Sequence, residues 1–266
     1  MNIIVCVKLV PDPEAPPASF KIDSAANKMT LAAGVNMVVS PFDEQAVEAA
    51  LRIKDKKGGK ITVISLGMGL PRDVVKKPLA MGADELIILE DPAFEGGDSW
   101  STAYALSMAV KKIGAFDIIF CGRQAADWDS GQVGSGLAEL LGIPSVTIAK
   151  KIEIKDNTAE VERVVADGFE VIETALPALI TVSNELGEAR FATLKGIMGA
   201  AKKQPIIWKA ADIGADPAKL GGNGRHARLV KLFQPVREGK CEIIAGENAA
   251  DTAAKLALRL REAKII

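Results

Sequence analysis

Histidine, cysteine and net charge are all scarce in this 266-residue chain, and each shortage removes a class of function. The one histidine, His226, excludes His-rich metal sites and leaves a Ser/His/Asp triad a single imidazole to draw on. It stands beside Gly221, Gly222, Asn223 and Gly224, a setting more like a loop than a catalytic scaffold. Cys6, Cys121 and Cys241 are odd in number and scattered, so they offer neither a disulfide framework nor the paired spacing of a zinc or iron–sulfur site. Lys plus Arg total 33 against 34 Asp plus Glu, and the net charge of -1 leaves no overall basic field for nucleic acid or an anionic membrane. The local basic stretches, Lys54 to Lys60 and Lys202 with Lys203, read as solvated surface. No apolar run reaches the ~20 residues of a membrane span, and the N-terminus lacks a cleavable signal pattern, so a cytoplasmic location is expected.

What is present is an ordinary core, with 48% hydrophobic residues, arranged in a repeating pattern. Asn2 to Leu9 is an apolar, β-branched run of the kind buried on both faces of a parallel sheet. Ile61 to Ser65, Leu86 to Leu89 and Ile118 to Cys121 share its character. Between them lie helical segments. Ser40 as N-cap, Pro41 at the first position, Asp43 in the first turn and Gly58 with Gly59 after the end predict a helix over Pro41 to Lys57. A second helix is expected from Pro71 to Met81, kinked or shortened by Pro78, a third over Ser99 to Ile113, and a fourth from Ser130 to Leu141. Alternating strands and helices imply right-handed crossovers and an α/β fold with a doubly wound parallel sheet. From Lys151 to about residue 175 short alternating strands separated by Asp156-Asn157 and Asp167-Gly168 predict an antiparallel meander, and Ala178 to Val182 returns to a buried strand. Residues 1–204 then form the α/β domain, and 205–266, irregular before a last helix near Ala249 to Ala263, form an arm suited to lying on a partner.

The segment richest in chemistry is Cys121-Gly122-Arg123-Gln124-Ala125-Ala126-Asp127-Trp128-Asp129-Ser130-Gly131-Gln132-Val133-Gly134, at the carboxyl end of a strand and running into a helix. Open α/β sheets bind ligands there. Gly131 and Gly134 allow close backbone approach, first-turn amides can donate to a phosphate, Ser130 adds a hydroxyl and Arg123 a charge. As a bare pattern this is also what a tight turn looks like. Asp127 and Asp129 read as groups that orient backbone amides and ligand hydroxyls, or as a solvated turn; no residue reads as a general acid or base.

This loop resembles the nucleotide loop of electron-transfer flavoprotein β-subunits. The resemblance extends in order through Val5-Cys6-Val7-Lys8, Ser40-Pro41-Phe42-Asp43, Ala80-Met81-Gly82-Ala83-Asp84, Asp167-Gly168-Phe169-Glu170, Leu176-Pro177-Ala178, Arg190-Phe191-Ala192-Thr193-Leu194 and Ile197-Met198, to about Lys203. It implies an adenine-nucleotide-hydrolase-like sheet with a nucleotide pocket built from Cys6, Ser40, Pro41, Phe42, Asp43, Leu66, Gly67 and every residue from Gly122 to Gly134. It implies an obligate heterodimer with a larger α-type subunit. A recognition loop at about 184–200, with Arg190, Phe191 and an exposed Leu194, would dock on an acyl-CoA-type dehydrogenase; the competing reading anchors Phe191 and Leu194 to the core.

The family divides between members holding AMP here as a structural plug and members holding a second FAD that accepts hydride from NADH and sends single electrons to a dehydrogenase and to a low-potential acceptor such as ferredoxin or flavodoxin. Gly131 and Val133, at positions where the plain carriers tend to have Asn and Thr, favour FAD by resemblance. Trp128, Ser40 and Gly187-Glu188-Ala189 depart from the usual pattern, and the indole of Trp128 can either stack on a ring or block a channel. Outside this class, an adenine-nucleotide hydrolase or adenylyl transferase of the same fold is disfavoured because Leu9-Val10-Pro11-Asp12-Pro13 puts proline where free amides are needed, and a nicotinamide dehydrogenase because no Gly-x-Gly-x-x-Gly follows the first strand. A nucleotide sensor without redox role remains a third reading, separable by its lack of partner and of yellow colour.

Overall fold

The computed structural model describes residues 1–235, 239 and 241–266. In chain order its strands are β1 (Asn2–Val7), β2 (Leu9–Pro11), β3 (Phe20–Asp23), β4 (Lys28–Leu31), β5 (Met37–Val39), β6 (Lys60–Leu66), β7 (Glu85–Leu89) and β8 (Ile118–Gly122). They continue with β9 (Ser145–Lys155), β10 (Thr158–Val165), β11 (Gly168–Ala175), β12 (Ala178–Val182) and β13 (Ile206–Trp208). The helices are α1 (Pro41–Lys57), α2 (Arg72–Val75), α3 (Lys77–Met81), α4 (Ser99–Ile113), α5 (Val133–Leu141), α6 (Leu194–Lys202), α7 (Gly221–Gly224) and α8 (Ala249–Glu262).

Nine strands form one sheet in the order β11-β10-β9-β12-β8-β1-β6-β7-β13. From β9 to β13 neighbours run parallel, and β9, β10 and β11 form the antiparallel meander. The sheet is covered on both sides, as its uninterrupted apolar strands require. Ile3, Val5, Val7, Ile118 and Phe120 face one core with α1, whereas Ile4, Cys6, Ile119 and Cys121 face another with α4 and α5. The chain builds β1, β6 and β7 outward in one direction, then returns past β1 to lay down β8. The strand order therefore reverses between β1 and β8, which makes their carboxyl ends the binding crevice of a doubly wound sheet.

Several expected boundaries are corrected, each for a local reason. The first strand ends at Val7, because the Lys8 N–H turns to the Asp43 carboxylate (2.8 Å) and the Lys8 carbonyl accepts from the Ser40 N–H (2.9 Å). Leu9–Pro11 then pairs with β5, away from the main sheet. The Pro71 to Met81 segment is two short helices broken at Lys76, with Pro78 in the first turn of α3, where its missing N–H costs nothing. The helix expected from Ser130 begins at Val133, since Asp129 (φ 50°) and Gly131 (φ 62°) hold left-handed backbone. The meander starts at Ser145, earlier than Lys151. Its first half runs parallel to β12 and its second antiparallel to β10, with the register of both pairings shifting near Ala149 and Ile148 at φ 56°.

Residue 204 is not the edge of the domain. Strand β13 joins the sheet beside β7, and Ala210, Ile213 and Leu220 are buried in the core under α4. The arm leaves after α7. His226 and Ala227 donate their N–H groups to Asp98 (2.7 and 2.8 Å), and His226 stacks on Trp100 at 5.1 Å, so the lone imidazole is a packing group. Helix α8 has no buried residue.

Candidate functional site

The crevice floor is organised by one carboxylate. Asp43, in the first turn of α1 and nearly buried, accepts from the Lys8 N–H with Oδ2 (2.8 Å) and from the Gly122 N–H with Oδ1 (3.0 Å), joining the ends of the two strands that flank the reversal. Burial pushes its carboxyl up to about 7, against the pull of those two amides and of the Lys8 charge. Gly122 admits no side chain: a Cβ there would lie 2.5 Å from Asp43 Oδ1 and 2.8 Å from the Phe42 carbonyl carbon. Cys6 and Cys121 lie buried below, and their mutual contact together with burial raises the Cys121 thiol well above its ordinary range, the state of an inert thiol.

Above this floor the 123–132 loop is held at three points. Lys8 Nζ reaches both oxygens of Asp127 (2.8 and 2.7 Å), Gln124 Nε2 donates to Asp129 (2.9 Å), and the Ser130 and Ser99 hydroxyls meet at 3.1 Å. Asp127 and Asp129 thus engage side chains, a correction to the expectation that they orient backbone amides. Arg123 packs its guanidinium over the Phe42 ring at 5.3 Å while its N–H donates to the Val182 carbonyl (2.7 Å). Ala125 and Ala126 line the bend as half-buried positions, and Gln132 lies exposed at the entry to α5. Trp128 is 59% exposed and does not fill the crevice. Leu66 and Gly67 stand one strand away, at the end of β6, half-buried. Pro41 opens α1, but Ser40 does not act as its side-chain cap: the hydroxyl is buried and unpartnered, as is that of Ser65 on β6.

A second feature lies away from this crevice. Phe191 is 92% exposed and Leu194 74%, with Ile197 and Met198 also exposed, so the reading that anchors the two in the core is overturned. Arg190 does not project with them; it binds Glu48 (2.7 Å) and Asp55 (2.8 Å) on α1 and fixes the base of the segment.

An electron transfer flavoprotein domain matches residues 28–213 of the chain. The electron transfer flavoprotein subunit beta of Thermoanaerobacterium thermosaccharolyticum is 41% identical over 267 residues, covering all of both chains. This chain belongs to the electron transfer flavoprotein family. The caffeyl-CoA reductase-Etf complex subunit CarD of Acetobacterium woodii is 39% identical, again over the full length of both, and protein FixA of Azorhizobium caulinodans is 37% identical over 88% of this chain and 85% of the relative.

Membership implies association with a flavin, and the crevice suits a nucleotide. The orphaned hydroxyls of Ser40 and Ser65 lie near the carboxyl ends of the strands and could each serve a polar ligand group. Gly134, in the first turn of α5, serves packing of that helix on the sheet, since a Cβ would stand 2.8 Å from Thr181 Cγ2. Lys8, Ser65 and Ser99, which the structure brings to this crevice, carry no role in the linear sequence. Lys8 is visible only as the last residue of the quoted Val5-Cys6-Val7-Lys8 stretch; its partnership with Asp127, 119 positions away, leaves no local signal.

Proposed function

We propose that the chain is the β subunit of a heterodimeric electron-transfer flavoprotein that holds FAD in the crevice between β1 and β8 and passes electrons to an acyl-CoA-type dehydrogenase. The observation that carries this is the crevice itself: at the strand reversal, Asp43 ties the two strand ends together and Lys8 latches the glycine-bearing loop across them. Bound FAD supplies hydride acceptance and one-electron transfer; the chain's task is to hold, orient and shield it. Ser40, Ser65, Ser99 and Ser130 provide hydroxyls. Arg123 with the amides at the start of α5 supplies positive character toward a phosphate.

FAD is favoured over AMP because Gly131 and Val133 offer no polar side chain to a terminal phosphate, and because the exposed indole of Trp128 leaves the crevice open. In the finer reading NADH is the donor, and electrons divide between the dehydrogenase and a ferredoxin or flavodoxin. The reductase complex in the printed name of the Acetobacterium relative supports a CoA-thioester partner. The exposed Phe191-to-Met198 segment is the proposed contact with that partner, and 225–266 the contact with the α-type subunit. To test the cofactor assignment, the chain is co-expressed with its α-type partner, the purified complex is denatured, and FAD and AMP are quantified. Two FAD per heterodimer is the expected result. One FAD with one AMP would make the protein a simple carrier, and a stable colourless monomer would defeat the redox reading altogether.

A further inference from the structure

On the α1 side of the sheet a recess of about 330 Å³ opens between the C-terminal half of α1 and the middle of β9. Its floor is apolar, formed by Ala49, Ile53, Ile152, Ile154 and Leu186. Its rim is cationic: Arg52, Lys56, Lys57, Lys150 and Lys151 stand against one carboxylate, Glu153. Three of these cations are committed. Arg52 binds Glu48 and the carbonyls of Leu186 and Glu188, Lys150 pairs with Glu162, and Lys151 pairs with Glu153 and Glu162. Lys56 and Lys57 make no ion pair among the described residues. The negative end of the α1 dipole accounts for lysines at that helix terminus. It does not account for the apolar floor between them and the lysines of β9.

The recess shares a wall with the exposed apolar segment. Arg52 lines the recess and grips Leu186 and Glu188, while Arg190 is bound to Glu48 and Asp55 of the same helix, and the exposed Phe191 and Leu194 follow Arg190 in the chain. A protein lying on Phe191 and Leu194 would cover the recess edge as well. We propose that the recess is the second half of this docking surface and receives a short acidic stretch of the same partner, its carboxylates meeting Lys56 and Lys57 and an aliphatic neighbour resting on Ile53 and Ile152. The proposal rests on the docking reading given above. Charges at the rim of such a contact steer association and give it its salt dependence.

The test uses the intact heterodimer with butyryl-CoA dehydrogenase, reduced by butyryl-CoA, as the probe protein, and follows electron transfer over a range of ionic strength. The double variant Lys56→Glu with Lys57→Glu is expected to raise the apparent KM for the dehydrogenase about tenfold at low salt and to flatten its salt dependence. Its kcat, nucleotide content and heterodimer assembly stay as in the parent, since both side chains are exposed. Leu194→Ala is expected to raise KM while preserving the salt dependence. A double variant that behaves as the parent while Leu194→Ala is impaired overturns the recess proposal and leaves the docking reading standing. If neither variant changes KM, or the parent heterodimer does not react with the dehydrogenase, the docking reading falls and the recess proposal with it. Loss of heterodimer in the double variant places the recess at the subunit interface and also overturns the proposal.

Discussion

Asp43 is the single position where folding and site chemistry meet most closely. Replacement by Asn leaves one of the two amides, Lys8 or Gly122, facing a donor, at a cost of about 1–3 kcal/mol. The carboxyl is raised in the folded protein, from 3.8 to about 7, so the folded state binds the extra proton between those values. Its contribution to stability is therefore full below the unfolded value and lost as pH rises toward 7. Thermal unfolding of the parent and of Asp43→Asn at pH 5 and pH 8 should show the larger deficit at pH 5, with the variant's own profile flatter across this window; parallel profiles would refute the assignment. Gly122→Ala meets Asp43 and the Phe42 backbone, neither of which can give way, and is expected to lose on the order of 1–3 kcal/mol together with bound nucleotide. Calorimetry and released-nucleotide analysis on the same sample would separate the two losses.

Among the elements, the loop and the projection are each fastened to something distant. The Lys8–Asp127 pair is half exposed on the lysine side, so Lys8→Met should change global stability by less than about 1 kcal/mol. It should still speed nucleotide loss and hydrogen exchange across 123–131, because the latch closes a loop rather than a core. Unchanged exchange there would mean that Ser99 and Ser130 suffice. Glu48 presents the other case. Burial, the largest single influence, pushes its carboxyl up, but hydrogen bonds from Arg190 and Arg52 together outweigh it and hold the group below its ordinary value. That contribution is present at neutral pH and lost as pH falls through the lowered value. Arg190→Ala removes one of the two guanidiniums and should cost about 1.5–3 kcal/mol at pH 7, read by urea unfolding, with little difference left at low pH.

For the molecule entire, the arm is separable from the sheet. Helix α8 buries nothing on this chain, whereas β13 and Leu220 belong to the core. Truncation after Leu232, which keeps the His226 and Ala227 amides on Asp98 and the Leu232 N–H on Asn27, should therefore leave the thermal transition of the sheet domain in place and abolish assembly with the α-type subunit, as seen by size-exclusion chromatography of co-expressed chains. Truncation after residue 204 should destabilise the domain itself, because it strips the edge strand beside β7 and exposes Leu89 and the α4 face.

The linear sequence determined the parallel strands other than β13, the helices α1 and α4 to the residue, and the glycine-bearing loop after β8. These depend on two-residue and 3.6-residue spacing and on Gly and Pro, all of which act over a few neighbours. It did not reveal where the first strand leaves the sheet, the split nature of β9, the place of β13, or the work of Lys8 and Ser99. Each of those is settled by a partner far along the chain: Asp43 for the Lys8 amide, β12 and β10 pulling on the two halves of β9, β7 for β13, and Asp127 and Ser130 for the side chains. Hydrogen bonds and ion pairs of that kind require two groups to be brought together first, and only the folded sheet does that.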